Sequence, residues 1–313
     1  MLRPSDFSKP QVIPIKKLAL IIVALALAVV TAACGSSSSS DSSAPASSSA
    51  AAACAKGKLA TITPGTLTIG TDNPAYDPYF LGPTGHAWSG QYNHDPYNDQ
   101  GFESATAYAV AQQLGYPKAK VVWTATPFLK SFAPGAKNFD FYLAQVSWSK
   151  HRAEAADLST SYYDVSQAVV ALAGKPIDSA TSVADLKQYK LGAQIATTGY
   201  DYINNTIQPD SAPRPYNTTN DALAGLKAGQ VDGIVVDYPT AYYMANVQLD
   251  NGQLVGQFPP PAANGDHFSL VLDKGSALTK CVDSALGTLR SNGTLAKIEQ
   301  QWLSKDAGAP VLK

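Results

Sequence analysis

The sequence predicts an α/β fold arranged as two lobes, and three observations carry that reading. Strand-like and helix-like patterns alternate from Leu67 onward. After Leu172 the alternation restarts with a pattern of its own. A chain of 313 residues, 45% hydrophobic and 15% charged, supplies enough apolar material for two cores.

The elements follow in order. Leu67-Thr68-Ile69-Gly70 alternates as a strand and runs into TDNPAYDPYF, residues 71–80, whose prolines and acids mark a loop at the strand's carboxyl edge. Ligands of open α/β sheets gather outside such edges. Residues 81–100 form a long polar and aromatic loop with His86, Trp88, Tyr92, His94 and Tyr97, and loops of that length are uncommon unless functional. Gly101-Phe102-Glu103 opens a helix in which Ala107, Val110, Ala111 and Leu114 share a face, stopped by Gly115. Val121-Val122-Trp123 is the next strand, and Phe139 to Val146 leads to another. The apolar run Ala168 to Leu172 ends the first unit. The second unit has a short helix over 182–188, a strand over 191–195 and a helical segment from about Tyr200 to Asn205. Asn220 is placed to cap a helix carrying Ala222, Leu223 and Leu226 and ended by Gly229. Val231 to Val236 is a buried-type strand that delivers Asp237 at its end, and Pro239 suits the first turn of the helix that follows. A strand over 268–272 and two helix faces, one with Val282, Ala285, Leu286 and Leu289 and one with Leu295, Ile298 and Trp302, complete the chain.

Chemistry concentrates around Tyr142 to Val170, where Ser147, Ser149 and Arg152 follow a short apolar strand. A guanidinium fork beside two hydroxyls is suited to holding a carboxylate, although an arginine read singly is a solvated surface residue. Thr197 and Thr198 after a strand serve either as a helix cap or as part of an anion site at the helix start. Asp237 either caps the Pro239 helix or receives an ammonium. Taken together, Arg152 in one unit with Thr197, Thr198 and Asp237 in the other form a set complementary to a zwitterionic α-amino acid. Enzyme signatures are missing: Ser147-Trp148-Ser149-Lys150 matches S-x-x-K, but neither S-D-N nor K-T-G completes it, and Walker A, H-E-x-x-H, C-x-x-C and G-x-S-x-G are absent. His86, His94, His151 and His267 show no metal-ligand spacing, so no metal or cofactor is expected. A formal net charge of -1 supplies no excess of basic side chains to neutralise phosphate, which argues against nucleic-acid binding.

At the N-terminus, Lys16 and Lys17 precede an apolar run over 18–30 and the small residues before Cys34. This describes a signal peptide over 1–33, shorter than the roughly 20 apolar residues of a membrane span. Small residues directly before a cysteine resemble the bacterial lipobox, which implies that Cys34 is lipidated, each buried methylene contributing about 0.8 kcal/mol of membrane affinity; ordinary secretory cleavage beside an incidental cysteine is the alternative. Residues 34–58 are then a Ser/Ala-rich tether, spanning on the order of 25 Å as a flexible coil. Export implies an oxidising compartment, leaving Cys54 and Cys281 as either a disulfide or two buried thiols.

Six stretches in order, LTIGTDNPAYDPYF, GFESATAYAVAQQLG, DFYLAQVSWSKHRAEAADLSTSYY, LGAQIATTGYDYI, ALAGLKAGQVDGIVVDYPTA and LRSNGTLAKIEQQWL, resemble the extracellular solute-binding proteins of ABC-type amino-acid importers, family 3, over roughly Thr66 to Leu303. The resemblance implies a two-lobed, type II periplasmic-binding-protein-like fold with two hinge strands. It divides the chain into a first lobe over 59–168, a hinge at 169–171, a second lobe over 172–256 and a return to the first lobe over 257–313. It implies further that Arg152 clamps an α-carboxylate with the Thr198 region, that Asp237 and Ser147 receive the α-ammonium, and that Asp72 and Tyr76 face the ligand side chain. The implied protein is a non-enzymatic, lipid-anchored monomer outside a bacterial cell membrane, delivering an amino acid or close relative to an ABC permease. Alternatives are a cyclohexadienyl-dehydratase-like enzyme on the same fold, or a sensor or adhesion protein using the lobes as a partner surface. Gln145, in place of a small hydroxyl residue, and Ala196, in place of glycine, depart from the family pattern.

Overall fold

The computed structural model describes residues 54–55, 59–73, 75–82, 94–259, 265–303 and 309–313. The expected signal peptide, Cys34, nearly all of the tether, and most of the 81–100 loop with His86, Trp88 and Tyr92 lie outside the described residues. Everything described belongs to one compact unit.

Two five-stranded sheets form its frame. The first holds β1 (Leu67–Thr71), β2 (Val121–Ala125), β3 (Phe141–Tyr142), β4 (Asp157–Asp164) and β10 (His267–Leu272), in the order β2-β1-β3-β10-β4. The second holds β5 (Gln167–Leu172), β6 (Leu191–Gln194), β7 (Arg214–Tyr216), β8 (Gly233–Asp237) and β9 (Gly252–Gln257), in the order β7-β6-β8-β5-β9. One strand in each sheet runs against both neighbours: β10 in the first and β5 in the second. Those are the strands on which the chain arrives from the other lobe, so their reversal records the crossing. Val165 and Ser166 alone separate β4 from β5. The hinge expected at 169–171 is instead part of β5, because Val169, Val170 and Ala171 are paired with β8 on one side and β9 on the other.

Helices cover the sheets where their apolar spacing allows. In α1 (Phe102–Leu114) the predicted face of Ala107, Val110, Ala111 and Leu114 is buried, and Gly115 ends the helix in the left-handed conformation. It packs with α7 (Thr279–Ser291) and α8 (Thr294–Trp302) on the first sheet. The shorter helices α2 (Phe128–Ser131), α3 (Lys150–Ala155), α4 (Thr198–Tyr202), α5 (Thr219–Lys227) and α6 (Tyr238–Tyr243) start at strand ends or loops facing the other lobe. The cap of α5 is Thr218 rather than Asn220, because Thr218 and Asp221 make the reciprocal pair of side-chain to backbone bonds of a capping box. Gly101 sets the entry of α1: at φ 97 it lies so close to the preceding loop that a Cβ would stand 2.4 Å from the Tyr79 carbonyl oxygen, and the Glu103 N–H donates to that same oxygen at 2.9 Å.

The end of the chain belongs to the second lobe, where the return to the first was expected. Leu303 packs in the first core, whereas Leu312 is fully buried in the second, beside Val255 and Phe258. Its N–H donates to the Gln257 carbonyl at 2.9 Å, and the N–H of Gln257 donates to Pro310 O at 2.9 Å. At the other end of the described chain, Cys54 is disulfide-bonded to Cys281 on α7. Because that bridge closes a loop of 227 residues, it restricts the unfolded chain strongly. Replacing both cysteines by serine is expected to lower the unfolding free energy by about 2–5 kcal/mol, read from denaturant melts of the oxidised protein and the variant.

Candidate ligand-binding site

Between the carboxyl ends of the two sets of strands lies a cavity of about 570 Å³, within the range of small-molecule sites. Asp72 follows β1, Ser147 and Arg152 follow β3, Thr197 and Thr198 follow β6, and Asp237 ends β8; Tyr76 joins them, and all seven line this one cavity. The structure therefore brings these seven side chains together, whereas Ser149, the second hydroxyl beside Arg152, is absent from the lining and caps α3.

Arg152 is 6% exposed. The short α3 places it, with Ser149 as N-cap accepting from the Arg152 N–H at 3.2 Å. Its guanidinium donates from Nη1 to the carbonyl of Ser147 in the first lobe and from Nη2 to the carbonyl of Ala196 in the second, the latter at 2.6 Å. The rings of Phe132 and Phe128 lie 4.7 Å and 5.5 Å from it, a cation–π setting. Among the described residues no carboxylate sits within ion-pair distance of it. Burial pulls its pKa down, opposed by the fields of Asp266, Asp237 and Asp201. A buried cation facing carbonyl dipoles and no counter-ion is suited to accept an anion.

The two threonines separate by role. Thr197 is the N-cap of α4: its Oγ1 accepts from Tyr200 N at 3.2 Å and donates to Gln194 O at 2.7 Å. Thr198 instead turns its hydroxyl to the cleft, 3.3 Å from Ser147 Oγ of the other lobe and 3.1 Å from Gln167 Nε2, which donates to it. Ala196, standing where glycine was expected, holds φ 58. The turn keeps its left-handed backbone at a cost of roughly 1–2 kcal/mol, and its carbonyl receives Arg152.

Asp237 does not cap α6; its side chain makes no capping bond. The pairing of β5 with β8 places Gln167 directly opposite it, and Gln167 Nε2 donates to Asp237 Oδ1 at 2.6 Å and to Asp266 Oδ2 at 3.0 Å. Burial and the repulsion of Asp266 push the Asp237 carboxyl up to about 8, against the help of Gln167 and Arg152. Two carboxylates sharing one amide are short of positive charge, so an ammonium delivered there would be held. Sequence reading missed Gln167 and Asp266; only the strand register could have paired Gln167 with Asp237.

Asp72 is pushed up by burial, eased by bonds from the Asn73 and Phe128 backbones, the former at 2.8 Å. Tyr76 spans the lobes, donating to Gln248 Oε1 at 3.1 Å. The described lining contains three aspartates, Asp72, Asp221 and Asp237, against one cation, Arg152. Among the described residues no group of His, Cys, Asp or Glu is placed to hold a metal ion.

A sequence model of the bacterial extracellular solute-binding proteins, family 3, matches residues 88–305. The chain belongs to that family. It is 25% identical over 205 residues to ABC transporter arginine-binding protein 1 of Escherichia coli K12, covering 64% of this chain and 81% of the relative. It is 26% identical over 244 residues to the L-cystine-binding protein TcyJ of the same strain, covering 77% and 84%. The solved ancestral amino acid-binding protein AncCDT-1, a precursor of cyclohexadienyl dehydratase, superposes with a TM-score of 0.60 at 23% identity, covering 77% of this chain and 96% of that one. The fold of this family-3 member is thus the two-lobed, type II periplasmic-binding-protein fold.

The raised Asp237 fixes the sign of a pH effect. Its folded pKa of about 8 stands above the ordinary carboxylate value near 3.9, so the stability it lends is full below that ordinary value and is lost as pH rises through about 8. Asp237→Asn should match the wild type near pH 4 and melt on the order of 5 °C higher at pH 8.5, at about 2–4 °C per kcal/mol for a chain of this size. Equal melting curves across that range would remove the buried charge from the site.

Proposed function

We propose that the protein is the lipid-anchored, extracytoplasmic receptor of an ABC importer, capturing an α-amino acid with a cationic side chain. The observation that carries the reading is the charge inventory of the cavity: Arg152 against Asp237, with Asp72 left over, while exposed Asp221 is committed to the α5 capping box. An α-carboxylate satisfies Arg152 and an α-ammonium satisfies Asp237. The surplus acid, Asp72, then calls for a second positive group, which a guanidinium or side-chain ammonium supplies. Anchoring would come from Cys34 through the tether, leaving the lobes free near the membrane to meet the permease.

Closure supplies the mechanism. Arg152 and Thr198 already contact the opposite lobe, so a ligand held by Arg152 on one side and Asp237 on the other favours the closed arrangement by its preferential affinity for it. One observation favours a second reading, an enzyme on the same fold: a carboxyl group raised to about 8 in the cavity between the lobes is suited to general acid chemistry, and AncCDT-1 is a precursor of such an enzyme. Product formation above background from arogenate or prephenate would select it.

Calorimetry with L-arginine, L-lysine, L-glutamine and L-glutamate tests the proposal, and tightest binding of the two cationic ligands is expected. Arg152→Ala should weaken binding at least a hundredfold, equivalent to about 2.7 kcal/mol, since a closed cleft leaves the carboxylate unpaired. Retained affinity would remove Arg152 from the site. Binding at pH 7 should also release protons, because an ammonium partner favours ionised Asp237; identical binding enthalpies in buffers of different ionisation enthalpy would contradict that.

A further inference from the structure

Beneath the cavity floor lies a buried acid that carboxylate and ammonium recognition do not use. Glu103, on the first turn of α1, is fully buried. Its carboxylate accepts from the backbone N–H of Gln145 at 2.7 Å, from the Gln145 side-chain Nε2 and from the Tyr162 hydroxyl. Gln145 lines the cavity and holds φ 53, a left-handed conformation that a glutamine adopts only when something holds it there. Its backbone N–H and its amide nitrogen both bond the same carboxylate.

From this geometry we infer that Gln145 is a specificity-determining residue of the amino-acid site, and that Glu103 is the positioning residue that fixes which end of its amide the ligand meets. An ionised carboxylate only accepts hydrogen bonds, so the amide must turn its nitrogen toward Glu103. The oxygen is left over, and no donor among the described residues is bonded to it. The cavity floor therefore offers an acceptor. A ligand side chain with several N–H groups, guanidinium, ammonium or amide, is matched by it, while a side-chain carboxylate meets that oxygen, with only the amide's second N–H to offset it, and is disfavoured. This rests on the amino-acid receptor reading and adds to it a residue that departs from the family pattern.

The arrangement responds to pH. Burial pushes Glu103 up to about 7 against the three donors that favour its ionised form. The titratable groups facing it are Tyr162 in direct contact, Tyr79 and Tyr142 nearby, and Asp237 across the cavity. Burial holds all three tyrosines neutral, and Asp237 acts on the α-ammonium that every amino acid shares. Protonated Glu103 gains an O–H to donate, and the Gln145 amide is then free to turn its oxygen inward and its nitrogen to the cavity. Discrimination against acidic side chains is accordingly full above about pH 7 and shrinks below it.

The test uses the full folded chain and three probes, L-arginine, L-glutamine and L-glutamate, titrated at pH 6 and pH 8. In the wild type the ratio of glutamate to glutamine dissociation constants should rise at least threefold between the two pH values; taking a ratio cancels Asp237. Gln145→Ala should shrink the pH 8 ratio about tenfold. Glu103→Gln should shrink it similarly and flatten its pH dependence, and the double variant should be no worse than Gln145→Ala alone. A Glu103→Gln protein that keeps the wild-type ratio and slope overturns the positioning role, and a Gln145→Ala protein that keeps the ratio overturns the inference. Should Glu103→Gln fail to fold, the wild type decides the positioning role, since a glutamate-to-glutamine ratio that stays flat between pH 6 and pH 8 overturns it, and Gln145→Ala still decides the inference. A wild type that binds none of the three probes and no L-lysine overturns the cationic amino-acid receptor reading itself, a result distinct from any of these.

Discussion

Everything at the cleft depends on one buried guanidinium. Arg152 is removed from water, faces two aromatic rings, and bonds a carbonyl from each lobe. Carbonyl dipoles orient a cation without neutralising it, so its charge stays available to whatever enters. The cost of keeping a guanidinium there is several kcal/mol before compensation, and a chain selected only for stability would replace it with an apolar side chain. Its retention in a cavity of this size reads as a requirement of the ligand. The same residue also ties recognition to conformation, because one of its two carbonyl partners moves with the opposite lobe.

Around that cation the acids are arranged in depth rather than as a ring. Asp237 and Asp266 share the amide of Gln167, Glu103 lies behind Gln145, and Asp72 sits at the end of β1. In each of the first two cases a glutamine amide stands with its nitrogen committed to carboxylate. Water does not supply that screening; the protein's own dipoles do, which is why burial dominates every raised carboxyl in the site. The field within each half of the cavity is consequently set by fixed groups, and only the contacts that cross between lobes, Arg152 with Ala196 and Ser147 with Thr198, change as the lobes separate.

Much of this was legible in the sequence, for identifiable reasons. Arg152, Thr198 and Asp237 each end or follow an apolar run, and the periodicity that predicts a strand also predicts where its last side chain emerges. Alternation likewise revealed the restart after Leu172, and the buried face of α1 follows from its spacing. What stayed hidden depends on partners distant in sequence. Gln167 looks like an ordinary polar residue at a strand start until register places it beside Asp237. Glu103 looks like a helix-start acid favoured by the macrodipole, and only the approach of the Gln145 turn shows otherwise. Val169 to Ala171 form a short apolar run that suits a connector and a central strand equally, and only its pairing with β8 and β9 shows that it lies inside β5. Thr218 was passed over as a cap in favour of Asn220, since threonines at 218 and 219 and the asparagine all carry capping side chains and only backbone geometry distinguishes them.

The two ends of the described chain are fastened to different lobes. Cys54 is bolted through Cys281 to a helix of the first lobe, while Leu312 is sunk in the core of the second. A pair of dyes, one just ahead of Cys54 and one after Lys313, would thus ride on separate halves of the jaw. The molecule comes with its own calipers: the gap between Cys54 and Leu312 is a ruler for how far it has shut.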